Sequence, residues 1–171
     1  MMKWSLTSLN FVRYVLNTYW MKARTQMSWT YKGAEVPDSI TEYYGFVYVI
    51  TNETNGRKYI GRKYFTKAGY KTVKGKRKKI RVSSGWEQYF GSNKALLEDV
   101  KTLGEHNFTR EIIRLCRNRS ECSYWETHYI FTLGALLSMD WYNEWVTCKI
   151  SKKNLLPAKT SGWYIIAGVA F

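Results

Sequence analysis

The pattern of apolar and polar positions becomes strongly structured at Gly45. From Phe46 to Ile50 every residue is aliphatic or aromatic, which is typical of a strand that is buried on both faces. The pair Asn55-Gly56 then tolerates positive φ, and residues 57–63 resume a strand pattern. The sequence therefore predicts a β-hairpin over residues 45–63.

A helix and a further strand are predicted after a long polar interval. Ser92 is placed to cap a helix over residues 94–103, and Gly104 is a typical residue just beyond a helix end. The residues predicted to form the buried stripe of this helix are Leu96, Leu97, Val100 and Leu103. Residues 108–116 then have the composition of a strand.

A second helix is predicted to begin at a Ser120 cap and to run to about Leu137. Its apolar stripe should consist of Tyr129, Ile130 and Leu133, with Glu126 one turn earlier on the same side. The predicted order is β-β-α-β-α, which indicates an α+β fold with helices packed on a small sheet.

The two ends of the chain are predicted to lie outside this unit. Leu9, Val12, Leu16 and Tyr19 recur at helical spacing, so residues 1–43 should contain an amphipathic helix that packs on the domain or binds a membrane surface or a partner. Charged residues interrupt this segment, so we expect neither a signal peptide nor stable membrane association. The sequence therefore predicts a domain over residues 44–146 and a C-terminal segment over residues 147–171. The apolar residues 163–171 of that segment are interpreted as a late strand or a packing segment.

The charge balance indicates an anionic partner. Lys and Arg number 27 against 13 Asp and Glu, and a surface with a net charge of +14 repels itself unless something anionic binds it. Nucleic acid is the usual partner of such a surface. The cysteines Cys116, Cys122 and Cys148 are odd in number and lack CxxC spacing, which favours a reducing compartment, the cytoplasm, over a disulfide framework or a zinc site.

One basic segment carries much of this charge. Residues 56–81 contain twelve Lys or Arg and no acid, and Gly69, Gly75 and Gly85 indicate that the far part is a loop. The segment is either a solvated charge run or a surface that follows the phosphate backbone, and the unopposed charge favours the second. The residues expected to contact DNA are Lys74, Lys76, Arg77, Lys78, Lys79 and Arg81, with Ser92 as a further phosphate contact.

Four motifs carry a resemblance to a known family. The segments Phe46-Val47-Tyr48 and Tyr59-Ile60-Gly61, with eleven residues from tyrosine to tyrosine, resemble the two halves of the GIY-YIG nuclease signature, although Phe46 stands where the family has glycine. Glu126 and Asn143 resemble the single glutamate and the late asparagine of that family. The match covers residues 44–146, and the segments 59–63 and 85–92 look like free-standing phage endonucleases of the homing type.

This resemblance implies a metal-dependent endonuclease that hydrolyses double-stranded DNA. A phage protein of this kind would act in the cytoplasm of the host cell. Glu126 would hold one Mg²⁺ or Mn²⁺, Tyr48 would accept a proton from the attacking water, and Tyr59 would share its hydrogen-bond network. Asn143 would position the site. The cations Arg62 and Lys63 and a nearby metal ion are expected to lower the pKa of the Tyr48 hydroxyl.

The cation that binds the scissile phosphate stays open at this point. The family's arginine lies about ten residues beyond the second tyrosine, a position that falls on Gly69 or Tyr70 here. The candidates are Arg62, Lys63, Arg77 and Arg81, and the strand end beside Tyr59 favours Arg62 and Lys63. A second function class, a catalytically silent nucleic-acid-binding module on the same fold, is disfavoured by the retained trio Tyr48, Tyr59 and Glu126. The oligomeric state and the target sequence stay open.

Overall fold

A computed structural model describes residues 28–148 and 150–155 of the chain. The predicted N-terminal helix and the apolar run 163–171 lie outside the described residues. The strands are β1 (Trp29–Tyr31), β2 (Ala34–Glu35), β3 (Gly45–Asn52), β4 (Lys58–Tyr64), β5 (Thr66–Val73), β6 (Lys76–Ser83) and β7 (Phe108–Cys116). The α-helices are α1 (Lys94–Leu103), α2 (Arg119–Thr132) and α3 (Lys152–Leu155).

Five strands form the central sheet in the order β2-β1-β7-β3-β4. The predicted hairpin is confirmed, because β3 and β4 pair antiparallel with Tyr48 opposite Gly61. The strand predicted over residues 108–116 is confirmed as β7, which pairs antiparallel with β3 and parallel with β1. The sheet therefore takes in β1 and β2, which lie ahead of residue 44, where the sequence pattern placed the start of the domain.

Helices cover both faces of the sheet, as expected for an α+β fold. Phe46, Tyr48 and Ile50 of β3 share one apolar cluster with Leu96 and Val100 of α1. The alternate residue Val47 belongs to a second cluster with Cys122 and Ile130 of α2. Because successive strand residues point to opposite faces, this arrangement explains why β3 is apolar at consecutive positions.

The cap and stripe predicted for α1 are partly wrong. The N-cap is Asn93, whose side chain accepts a hydrogen bond from the backbone N–H of Leu96 at 3.0 Å. Ser92 lies one residue too early for that bond. Leu96 and Val100 are buried as predicted, whereas Leu97 and Leu103 are 42% and 37% exposed, since the helix rests on the sheet along a narrow line.

The boundaries predicted for α2 are also wrong. Asn118, not Ser120, caps the helix, because its side chain accepts a hydrogen bond from the backbone N–H of Glu121 at 2.9 Å. The helix ends at Thr132, where Gly134 adopts a φ of 61° and the N–H of Ala135 bonds to the carbonyl of Ile130. Ile130 is buried, but Leu133 lies beyond the last turn and is 49% exposed.

The basic segment is not a loop as predicted. Residues 66–83 form a separate two-stranded sheet, in which β5 and β6 pair antiparallel along their whole length. Lys74 and Gly75 make the turn with φ values of 50° and 73°, which is the geometry of a tight two-residue hairpin connection. The polar side chains on both faces hid this strand pair from a hydrophobic pattern.

The outer edge of β4 is covered by the segment that follows α2. The N–H of Lys58 bonds to the carbonyl of Asp140, and the N–H of Tyr142 bonds to the carbonyl of Lys58, both at 2.8 Å. The Tyr142 hydroxyl accepts a hydrogen bond from the buried Asn52 amide and donates one to Asp99 of α1. This segment is thereby held to the sheet and to α1, and it places Asn143 beside the middle of β4.

Two further observations concern membrane spans and disulfide bonds. Over 28–148 and 150–155, no helix combines the length and apolarity needed to span a bilayer. All three cysteines are free thiols, with Cys116 and Cys122 buried and Cys148 exposed.

Candidate active site

A cavity of about 440 Å³ opens at the edge of the sheet along β4. Because β4 is an edge strand, side chains from both of its faces reach the same opening, together with residues of α2 and of the segment 143–147. The polar side chains in its wall are Tyr48, Tyr59, Arg62, Ser92, Asn93, Glu126, Asn143, Glu144 and Thr147. The structure therefore brings together five of the six residues that the sequence motifs predicted to be catalytic.

Tyr48 forms the innermost part of this wall. Its side chain is 1% exposed, and its hydroxyl lies over the backbone of Gly61, where a β-carbon would collide with it. This close approach is a physical reason for glycine at position 61. Burial, and then the neighbouring Tyr89 and Tyr59, raise the pKa of Tyr48 well above its ordinary value. Neither Arg62 nor Lys63 is among the groups that shift this pKa, so the part of the expectation that rests on these two cations is wrong.

Tyr59 lies closer to the cavity mouth. Its ring centre is 6.2 Å from that of Tyr48, and its hydroxyl lies 3.4 Å from the Ser92 hydroxyl. Burial raises the pKa of Tyr59, while the hydrogen bond with Ser92 and the charge of Arg62 act in the opposite direction. Tyr59 is half-buried, so its hydroxyl is more accessible than that of Tyr48.

Arg62 and Glu126 face each other on the side of β4 that lies opposite to the tyrosine pair. The guanidinium of Arg62 forms an ion pair with the Glu126 carboxylate, and their side chains are 28% and 15% exposed. Burial raises the pKa of Glu126, and the Arg62 charge opposes that rise. Burial disfavours the charged form of Arg62, but the charge of Glu126 leaves the pKa of Arg62 above its ordinary value.

Lys63 does not share this cavity. Alternation along β4 turns it to the face of Tyr59, away from Arg62 and Glu126, and there its ammonium lies 3.6 Å from the ring centre of Tyr89. Burial and the charge of Lys67 lower the pKa of Lys63. Arg77 and Arg81, which were also candidates for the catalytic cation, lie on β6 and outside the cavity wall.

Asn143 makes two hydrogen bonds to the backbone of β4, between the tyrosine pair and the Arg62–Glu126 ion pair. Its side-chain oxygen accepts a hydrogen bond from the N–H of Ile60 at 2.9 Å, and its amide donates one to the Ile60 carbonyl at 2.8 Å. The asparagine side chain thereby pairs with the free edge of the strand as a neighbouring backbone would. It fixes Ile60, which follows Tyr59 directly and lies two residues before Arg62 on β4.

The donor chemistry of the wall fits a hard divalent cation. Among the described residues, no group of three or more His, Cys, Asp and Glu side chains converges as a metal cage. The cavity wall contains neither histidine nor cysteine, and its acids are Glu126 and Glu144. Oxygen ligands with few protein carboxylates are typical of Mg²⁺ and Mn²⁺, since Mg²⁺ retains several of its waters.

Some residues of the site carry little sequence signal and were not predicted. Glu144 and Trp145 line the cavity, and the one hint of their role is that they follow Asn143 directly. Tyr89 contacts both Tyr48 and Lys63, a role that no motif indicates. Ser92, which was expected to contact phosphate, does lie in the cavity wall, whereas the six predicted cations from Lys74 to Arg81 lie on the β5–β6 hairpin.

A family model described as "Putative endonuclease segE, GIY-YIG domain" matches residues 29–146. The chain belongs to the GIY-YIG endonuclease family. The matched region begins in β1, ends just beyond Asn143, and includes every residue of the cavity wall named above except Thr147.

One curated relative supports this membership. The protein of Enterobacteria phage T4 that carries the same name is 33% identical over 100 residues, which are 58% of this chain and 40% of that protein. The chain thus matches less than half of the length of this relative. No solved structure matches the chain.

Proposed function

We propose that this protein is a metal-dependent endonuclease that hydrolyses phosphodiester bonds of double-stranded DNA. The observation that carries the proposal is Glu126, a half-buried carboxylate that faces Arg62 in a cavity also lined by the tyrosine pair. A nuclease needs an activated water, neutralised phosphoryl oxygens and a stabilised leaving oxygen. The residues around this cavity offer a group for each of these needs.

Glu126 would hold the divalent cation, because it is the innermost acid that the site provides. When bound, such a cation supplies a Lewis acid for the phosphoryl oxygens and the leaving oxygen. The burial that raises the pKa of Glu126 leaves the carboxylate poorly solvated, and a poorly solvated carboxylate gains from a nearby positive charge. Arg62 provides that charge in the structure.

Arg62 is the cation of the cavity wall that is best placed for the scissile phosphate. Its planar guanidinium can donate two parallel hydrogen bonds to phosphate oxygens. Lys63 points away from Glu126, so the strand geometry separates the two residues that the sequence left together. We assign Arg62, and not Lys63, to the phosphate.

Tyr59 is better placed than Tyr48 to accept the proton of the attacking water. Both hydroxyls have raised pKa values, but only Tyr59 has an adjacent hydroxyl and an opposing charge that favour its ionised form. Tyr48 would then orient Tyr59 and close the floor of the site over Gly61. Asn143 would keep β4 in register, and so keep Tyr59 and Arg62 at fixed positions.

The proposal includes a role as a mobile endonuclease of the phage homing type. It is supported by the similarity to a T4 protein named as an endonuclease and by the segments 59–63 and 85–92. The net charge of +14 supports a nucleic-acid substrate.

Incubation of the full chain with supercoiled plasmid tests the proposed function. Mg²⁺ or Mn²⁺ should convert the plasmid to nicked or linear products, and EDTA should prevent this. Retarded migration of intact plasmid at every cation concentration would instead identify a silent nucleic-acid-binding module and overturn the enzymatic assignment.

A further inference from the structure

The β5–β6 hairpin is the most strongly charged element among the described residues. Its residues 66–83 include eight Lys or Arg and no acid. The two strands form a sheet of their own, apart from the five-stranded sheet that carries the cavity. The charges therefore project on a ribbon, and their arrangement follows from the strand register.

The register divides these cations between two chemically different faces. Residues opposite each other in an antiparallel pair share a face, and successive residues alternate. One face carries Lys67, Lys71, Lys76 and Lys78 beside Val73, Ile80 and Val82. The other face carries both arginines, Arg77 and Arg81, with Lys79 and Tyr70. We name these the lysine face and the arginine face.

The arginine face contains a preorganised guanidinium. The side chain of Arg77 lies over the ring of Tyr70, 3.9 Å from its centre, although Tyr70 is 57% exposed. Stacking on a ring leaves the donor edge of the guanidinium free for two parallel hydrogen bonds. Arg81 is instead held near the base of the hairpin, where its Nε donates to the Thr66 hydroxyl at 2.7 Å.

The dimensions of the ribbon suit the major groove of B-DNA. That groove admits a two-stranded β-ribbon, and arginine bonded to guanine is the commonest specific contact made there. Eight residues per strand extend for about 26 Å, which covers roughly eight base pairs. The hairpin starts four residues after Arg62, so the bases that it reaches lie close to the scissile phosphate.

We propose that the β5–β6 hairpin enters the major groove beside the cleavage site, with the arginine face toward the bases. Arg77, stacked on Tyr70, reads guanine at a fixed distance from the cut. The long side chains of the lysine face reach the phosphates of the groove walls and add affinity without sequence preference. This inference rests on the proposed function, because it takes double-stranded DNA as the substrate.

The test is to map cleavage sites on a library of random duplex DNA. The full chain, with Mg²⁺, digests the library to low conversion, and the cut ends are sequenced. The wild type should prefer guanine over other bases at one or more fixed offsets by about five- to 150-fold. Arg77→Lys keeps the charge but loses the two parallel donors, so the preference at one such offset should fall below about threefold.

Lys78→Gln is the matched control, because Lys78 is next in sequence and lies on the lysine face. It should keep the guanine preference while weakening binding to all sequences alike. Tyr70→Phe should retain the preference, and Tyr70→Ala should weaken it, because only the first keeps a ring under Arg77. An unchanged preference in Arg77→Lys, or a wild type without any base preference near the cut, would overturn the inference.

A second selection separates this inference from the proposed function. If the wild type cuts no DNA with any divalent cation, the proposed function fails on its own. The same library is then partitioned by binding to the cation-free protein. Guanine enrichment that Arg77→Lys removes would support the hairpin as a reader, and a lack of enrichment would overturn it.

Discussion

Arg62 of β4 and Glu126 of α2 form an ion pair across the edge of the sheet. This pair places the cation assigned to the phosphate beside the carboxylate assigned to the metal. Lys63, the next residue, lies on the opposite face against Tyr89. Strand alternation places these two adjacent cations on opposite faces of β4, and the packing of α2 decides which of them meets Glu126.

Arg62→Gln should lower kcat for plasmid cleavage by about 10²–10³-fold, the typical effect of removing one preorganised donor to developing charge. Lys63→Gln removes a charge of the same sign one residue away and should cost less than about tenfold. Single-turnover rates at saturating DNA check this order. A greater loss in Lys63→Gln than in Arg62→Gln would contradict the assignment.

Tyr59→Phe should lower the cleavage rate by about 10²–10⁴-fold, the usual contribution of a general base. Tyr48→Phe should cost less if that residue only orients Tyr59. Because burial raises the pKa of Tyr59, its ionised fraction rises about tenfold per pH unit between pH 7 and 9. The wild-type rate should rise over that range, and the rise should disappear in Tyr59→Phe. A more damaging Tyr48→Phe change would exchange the two roles.

The central hairpin was predictable because its sequence signals agree. Consecutive apolar residues from Phe46 to Ile50 and the pair Asn55-Gly56 both indicate the same two strands. Glu126 was predictable as a site residue from its motif, and the fold brings it to β4. The ion pair with Arg62 was not predictable, since it depends on how α2 packs against the sheet.

The β5–β6 hairpin was missed because its strands lack a buried face. Ile80 and Val82 do alternate with polar residues, but Tyr70 and Val73 fall on opposite faces of β5. Lys74-Gly75 is a possible turn, but lysine and glycine there indicate a loop equally well. The helix caps failed for a simpler reason. Asn93 and Asn118 each lie within two residues of a serine, and both residue types are good caps, so the sequence could not separate them.

Asn143→Ala should remove both side-chain hydrogen bonds to Ile60 and lower the free energy of unfolding by about 1–3 kcal/mol. Asn143→Asp should not restore the contact, because a carboxylate cannot donate to the Ile60 carbonyl. Thermal unfolding and kcat, measured on both variants, check this. Wild-type stability and rate in Asn143→Asp would show that the contact with Ile60 has no positioning role.

Lys71, Lys76 and Lys78 of the lysine face should dominate the salt dependence of DNA binding. Replacing all three with glutamine should flatten the slope of log K against log salt by about two to three, because each phosphate contact releases counterions. The control replaces Lys32, Lys101 and Arg119, which are exposed cations elsewhere, with glutamine. Equal slopes in the two triple variants would show that the lysine face is a solvated charge run that does not contact the phosphates.

The most direct test of the account is the cleavage rate of Glu126→Gln measured together with its affinity for DNA. Cleavage should fall to the uncatalysed background with Mg²⁺ or Mn²⁺, while affinity stays equal or rises because a negative charge facing the phosphate is lost. Glu98→Gln, an exposed change on α1, should leave both quantities unchanged. Wild-type turnover in a folded Glu126→Gln protein would contradict the assignment of this carboxylate as the site of the metal.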